Sequence, residues 1–402
     1  LGDVYKRQVK LHVNVTNNGE IRCVPRGTYR IFVCEKLYIL AECETSPKIA
    51  DQLEAMSRNF LYGGRGNAYN VTFYIEDGTE TLPFRMHCIA LGATGVAFPQ
   101  NPHFLNKINL VNALKGKHIL YGLDIVAPEK DGVVKTYSWD DLGKRNIPEV
   151  DAIIHLAGKA HDTKNQSKAQ VYFDINTGLT QKIYDYFLGS SAKKFVFFSS
   201  VKAAADQVEG DILTEEVVPS PKGPYGESKI KAEEYIQEKW PADKSVYILR
   251  PCMIHGPGNK GNLNLLYNVV KKGIPWPLGA FENKRTFTSI DNLCYVVEGL
   301  LTKEVASGVY HMADDEALST NELIAVICEA MGRRAHIWHL NKKMMEMVAS
   351  AGGCLHLPLN KERLAKLTEN YVVSNRKIKS ALGVDKMPVR AKEGLIKTIK
   401  SF

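Results

Sequence analysis

Two kinds of hydrophobic patterning divide the chain. In residues 9–16, Val9, Leu11, Val13 and Val15 alternate with Lys10, His12, Asn14 and Thr16, the period of two that predicts a half-buried strand. Asn18-Gly19 and Asp77-Gly78 are turn signals, and further strands are predicted at 28–34 and 68–76. Ser46-Pro47 reads as the N-cap and first position of a short helix through about residue 58. Residues 1–84 are therefore expected to form a β-rich N-terminal segment of unassigned role. The first eight residues lack a Met and an apolar signal core, and are read as a truncated or foreign end outside the fold. Further along, alternation gives way to continuous apolar strands at Val150–Leu156, Lys194–Phe198 and Tyr247–Pro251, separated by helical segments. That succession predicts an α/β architecture.

Composition fits a soluble protein of two or three domains, with 402 residues, 45% hydrophobic and 24% charged. No run of 18 apolar residues is present, so no membrane span is expected. The eight cysteines are scattered without a C-x-x-C or a His-containing cluster. They are expected to be reduced, in a cytoplasmic protein that binds no metal. The net charge is +8, and residues 341–402 alone hold 13 Lys+Arg against 5 Asp+Glu, which accounts for all of it. A basic tail suits a diphosphate substrate, an acidic partner or an anionic membrane face, and equally a set of solvated amphipathic helices. No basic-aromatic platform points to nucleic acid.

The candidate chemistry lies at Phe197-Phe198-Ser199-Ser200 and Tyr225-Gly226-Glu227-Ser228-Lys229. The first run ends an apolar strand. The second opens a helix and puts Tyr225 and Lys229 four residues apart, on one face. A free Tyr titrates near ~10, and a neighbouring ammonium is expected to lower that value and make the phenol a usable base. Ser200 can hold the oxygen whose proton moves. This is the equipment for oxidising an alcohol or reducing a ketone. Tyr-x-x-x-Lys alone is a weak signal, because a packed ring beside a solvated amine gives the same spacing.

The surroundings strengthen it. Leu156-Ala157-Gly158 follows one strand, Ser199-Ser200 the next, and Gly256-Pro257-Gly258 comes shortly after the third. With these motifs the chain resembles the extended short-chain dehydrogenase/reductases, in the NAD-dependent nucleotide-sugar epimerase/dehydratase branch. The resemblance runs from about residue 107 to the C-terminus. It implies a Rossmann-type doubly wound parallel sheet at 85–250, and a smaller α/β substrate-binding region at 251–402, partly interleaved with it. It implies NAD as cofactor, a nucleotide-sugar substrate and a homodimer. Ser200, Tyr225 and Lys229 become the catalytic group. Leu156, Ala157, Gly158 and Lys229 line the cofactor. Asn176 sits by the substrate as a brace. Arg285 grips the sugar-nucleotide diphosphate, a task suited to its planar fork, although an ion pair with Asp291 is the plainer reading. The stretch from Tyr371 to Gly383 resembles the family's closing helix.

The nucleotide loop departs from the pattern. A dinucleotide fold needs a strand, a G-x-x-G-x-x-G turn and a helix whose N-terminus faces the pyrophosphate. Cys88-Ile89-Ala90-Leu91-Gly92-Ala93-Thr94-Gly95 supplies a strand and two glycines, but Phe98 stands at the third glycine position, and Pro99 and Pro102 follow. A ribose-binding acid belongs about 20 residues past the fingerprint. Asp124 ends a suitable strand and favours NAD over NADP, yet it lies 32 residues after Gly92. Either residues 96–105 are an insertion or Gly92–Gly95 matches by chance. Gly63-Gly64-Arg65-Gly66 has no strand–loop–helix around it.

Dehydratases of this branch carry Asp-Glu after the catalytic hydroxyl residue. Here Val201-Lys202-Ala203-Ala204 follows Ser200, so dehydration is disfavoured. The remaining expectation is epimerisation of a UDP-hexose or UDP-N-acetylhexosamine at C4 through a 4-keto intermediate, for surface-polysaccharide precursors. A 4-keto-sugar reductase is the alternative within the enzyme class. A non-catalytic dinucleotide-binding protein is the alternative outside it.

Overall fold

The described strands of the first part of the chain pair antiparallel; of the alternating run at 9–16 only Asn14 and Val15 are among the described residues. In the computed structural model the described residues are 109–124, 131–159, 168–259, 262–354 and 360–402, together with strands between residues 14 and 88. The strands β1 (Asn14–Val15), β2 (Glu20–Arg22), β3 (Thr28–Cys34) and β4 (Tyr38–Cys43) lie side by side in that order. A separate hairpin joins β5 (Tyr69–Glu76) to β6 (Thr81–Cys88), with Tyr69 opposite Cys88. The predicted strands at 28–34 and 68–76 coincide with β3 and β5. The turn pairs Asn18-Gly19 and Asp77-Gly78, the helix from Ser46 and the Gly63–Gly66 run lie outside the described residues. These strands belong to one compact unit, Leu1–Phe98. β6 runs straight through the expected boundary at 84/85.

The second unit, Pro99–Phe402, is built differently. Here β7 (Tyr121–Leu123) pairs in parallel with β8 (Lys135–Tyr137). The main sheet contains β9 (Ala152–His155), β10 (Lys194–Phe198) and β11 (Ser245–Pro251). A small parallel pair, β12 (Met253–His255) with β13 (Phe287–Ser289), precedes β14 (Gly308–Met312) in the chain. β14 then joins β11, giving the all-parallel order β14-β11-β10-β9. Residues beyond 250 thus complete the sheet begun before them.

Both faces of this sheet are covered, which explains why its strands read as unbroken apolar runs. Val196, Phe198, Tyr247 and Leu249 point into one core with Leu110, Leu114, Leu293 and Val297. Phe195, Phe197, Val246 and Ile248 point into the other, against Ile183, Phe187 and Ile236. Period-two alternation is still present, but both sets are apolar. Each such buried aromatic or aliphatic side chain contributes about 1.5–3 kcal/mol. A third core gathers Leu263, Trp276, Phe287, Ile327 and Leu395 among the later helices. The Arg376–Leu382 helix ends at Gly383, whose φ of +68° is the left-handed cap that glycine adopts at least cost. No described helix is long and apolar enough to cross a membrane.

Candidate active site

The apolar strand β10 delivers two serines to the carboxyl edge of the sheet. Ser199 N–H still donates to Leu249 O at 2.7 Å, extending the ladder by one residue. Ser200 turns out of it and caps the one-turn helix Val201–Ala204, its Oγ accepting from Lys202 N–H at 3.2 Å. Across from it, the Pro224–Glu238 helix starts with Pro224 in its first turn, where no N–H is missed. Gly226 then permits a close approach. A Cβ there would stand 2.5 Å from the carbonyl oxygen of Lys202, so only glycine lets this helix meet the Ser200 turn.

That approach brings the predicted catalytic group together. The Tyr225 hydroxyl is hydrogen-bonded to Ser200, and its ring meets Tyr172 edge-on at 6.4 Å. Lys229 is fully buried, donates from Nζ to Phe198 O at 2.8 Å and lies over the Phe197 ring. Burial pulls the Lys229 ammonium down to about 8, opposed by the negative charge of Glu233. Burial pushes the Tyr225 phenol up, and the Ser200 hydrogen bond only partly offsets it. The expected lowering of Tyr225 by its lysine is therefore corrected for the protein alone, where desolvation of the phenolate outweighs attraction.

Asn176 braces this corner. It is completely buried in a wide helical turn, Phe173–Gly178, between the flanking α-helices Ala169–Tyr172 and Leu179–Leu188. Its Oδ1 accepts from Lys159 N–H at 2.7 Å, and its Nδ2 donates to Lys159 O at 3.2 Å and Ser228 Oγ at 2.9 Å. Both amide hydrogens serve protein groups, so it ties the turn after β9 to the catalytic helix. Leu156, Ala157 and Gly158 form that turn and are half-buried. Asp124 directly follows β7, its N–H donating to Tyr137 O at 3.0 Å. Gly92 and Gly95 lie outside the described residues.

Arg285 lies just before β13. Its backbone pairs with Leu318, and its side chain donates to Lys366 O and pairs with Glu369 at 3.3 Å. Asp291 is not its partner, being held by Lys397 at 2.8 Å. Cys252, Cys294 and Cys328 are buried and free, and burial raises the first two to about 12, so they are poor nucleophiles. Among the described residues no cluster of His, Cys, Asp and Glu could hold a metal.

Residues 133–313 match the model of the NAD dependent epimerase/dehydratase family. Over that stretch, somewhat under half of the chain, the protein is similar to that family. Its relatives include a UDP-glucose 4-epimerase of Vibrio cholerae, 31% identical over 45% of this chain and 57% of that protein. They also include the N-acetyl-alpha-D-glucosaminyl-diphospho-ditrans,octacis-undecaprenol 4-epimerase of Escherichia coli O157:H7, 28% identical over 57% of this chain and 67% of that one. The chain thus spans little more than half the length of the first. MoeE5, solved in complex with UDP-glucuronic acid and NAD, shares the fold at a TM-score of 0.57 and 19% identity, over 74% of this chain and 95% of that one.

The same corner holds a second polar group that no sequence motif marks. Glu233, one turn beyond Lys229 on the same helix, is fully buried. Its carboxylate accepts two arms of Arg250, Nε at 3.0 Å and Nη2 at 2.6 Å, and also the hydroxyl of Ser199. The catalytic helix is thereby fastened to the end of β10 at two successive residues, by Lys229 at Phe198 O and by Glu233 at the Ser199 hydroxyl. The signal was an arginine inside an otherwise apolar strand, since a charge there demands a partner.

Proposed function

We propose that this protein epimerises a nucleotide sugar at C4, with NAD as cofactor, and that the sugar is a UDP-hexose or UDP-N-acetylhexosamine of the kind used in surface polysaccharides. One observation carries the reading: a hydroxyl, a phenol and a buried amine meet at the carboxyl edge of a parallel sheet, where ligands of such folds bind. The 4-epimerases among its relatives support the choice of C4.

The described part of the cofactor site fits a dinucleotide. Asp124 at the end of β7 offers a carboxylate for ribose hydroxyls, Leu156-Ala157-Gly158 offers a small-residue turn after β9, and buried Lys229 offers a cation. When bound, the oxidised nicotinamide would supply the hydride acceptor at C4 and the positive charge that favours phenolate. Tyr225 then takes the proton of the C4 hydroxyl, while Ser200 holds the same oxygen. Lys229, charged at neutral pH with its value of about 8, keeps the strand end and the phenol in register through Phe198 O. After the 4-keto sugar turns its other face, Tyr225 returns the proton. Arg285 is assigned to the diphosphate, its guanidinium already positioned by Lys366 O and Glu369.

Tyr225→Phe tests this. Turnover should fall about 10²–10⁴-fold, with the far-UV spectrum and unfolding midpoint unchanged. Turnover close to wild type would overturn the assignment.

A further inference from the structure

The basic C-terminal stretch is only partly absorbed by the proposed site, and it carries an apolar surface that the catalytic account leaves unused. The Lys342–Cys354 helix has two apolar stripes. Met345 and Ala349 face inward and join Leu364 and Trp276 in the third core. Met344, Met347, Val348 and Ala351 recur at i, i+3, i+4 and i+7 on the outer side, and all four are exposed. Met347 is 67% exposed, Val348 44% and Met344 40%. Just before the helix, Trp338 is 54% exposed. Its carbonyl accepts from Gly279 N–H, and Lys342 lies over the ring of nearby Phe281, so these groups share one side of the unit.

Cations frame the stripe. Lys342 and Lys343 are exposed at the start of the helix, and Lys361, Arg363 and Lys366 are exposed on the helix packed against it, Lys361–Thr368. The exposed acid on the first helix is Glu346. An apolar stripe of Met, Val and Trp edged with lysine is the composition of a helix that lies in the plane of a membrane interface. A protein–protein interface is instead poor in lysine.

We propose that the outer face of the Lys342–Cys354 helix docks on an anionic lipid surface, with Met344, Met347 and Val348 entering the interface and Lys342 and Lys343 meeting the headgroups. The docking does not depend on the epimerase reading, and its test reads no activity.

The full chain is mixed with vesicles of phosphatidylcholine alone, or with phosphatidylglycerol added, and sedimented. Binding is expected to the anionic vesicles, to weaken at high salt, and to fall about tenfold in Met347→Glu and in the double variant Lys342→Glu, Lys343→Glu. All three positions are exposed, so the fold survives the changes. Absence of binding to anionic vesicles, equal binding to neutral ones, or wild-type binding by Met347→Glu would overturn the proposal. So would self-association that Met347→Glu abolishes without any vesicle binding, since the stripe would then belong to a second copy.

Discussion

At the end of β10, three charged side chains are buried, Lys229, Glu233 and Arg250, and each has a partner. Along the Lys342–Cys354 helix the arrangement is inverted, with the charges in water and Met347 and Val348 there as well. Either choice costs stability that a simple core would not lose. Burying a charge forfeits hydration that pairing only partly returns. Exposing methionine forfeits burial worth roughly 25 cal/mol per Å². The two regions teach the same lesson from opposite sides: a polarity placed against the packing preference marks a surface meant for something other than folding. In the first region the proposed use is proton transfer, and in the second it is docking.

Breaking the buried pair should have the largest effect. Arg250→Met leaves the Glu233 carboxylate without its guanidinium in a sealed core, and should destabilise the protein by about 3–5 kcal/mol. Urea unfolding measures this. A loss below 1 kcal/mol would mean that the charges are hydrated in solution and that the contrast with the exposed helix is weaker than the geometry shows.

The lysine makes a pH-dependent test of similar size. Its folded value of about 8 lies below its ordinary 10.5. Between those pH values the unfolded chain binds the extra proton, so stability rises with pH there, while below about 8 the cost of burying the ammonium is full and does not vary with pH. The stability of wild type relative to Lys229→Met should therefore climb by about 3 kcal/mol from pH 8 to 10.5. A flat difference would place Lys229 in contact with water.

Gly226→Ala should act least on stability and sharpen the geometry most. Its new Cβ would press on the Lys202 carbonyl, costing about 1–3 kcal/mol and pushing Tyr225 from Ser200. Turnover should drop further than stability does. Unchanged turnover would show that the helix can shift without cost to the chemistry.

Much of this was legible because it is local. An apolar strand ending in Ser-Ser and a helix opening on Tyr-x-x-x-Lys each lie within a few residues, and the structure joins them as the spacing implied. The direction of the Tyr225 shift was not legible, because burial depends on what packs over the ring, here Tyr172 and the Ser200 turn. Glu233 and Arg250 are separated by a helix end, a loop and a strand. Only the folded placement of the helix beside β11 brings them together. Asn176 was expected beside the substrate, and its hydrogen bonds make a brace between the β9 turn and Ser228. On the Lys342–Cys354 helix the sequence offers two apolar stripes, and packing against Leu364 decides which goes inside.

The most direct test of the central claim uses UDP-glucose and UDP-N-acetylglucosamine carrying deuterium at C4. The protein is incubated with each, and the product is read by NMR. Oxidation and return of the same hydride predicts a C4-inverted sugar that keeps its deuterium, and none from Tyr225→Phe. Deuterium lost to solvent, or inversion that survives in Tyr225→Phe, would contradict the account.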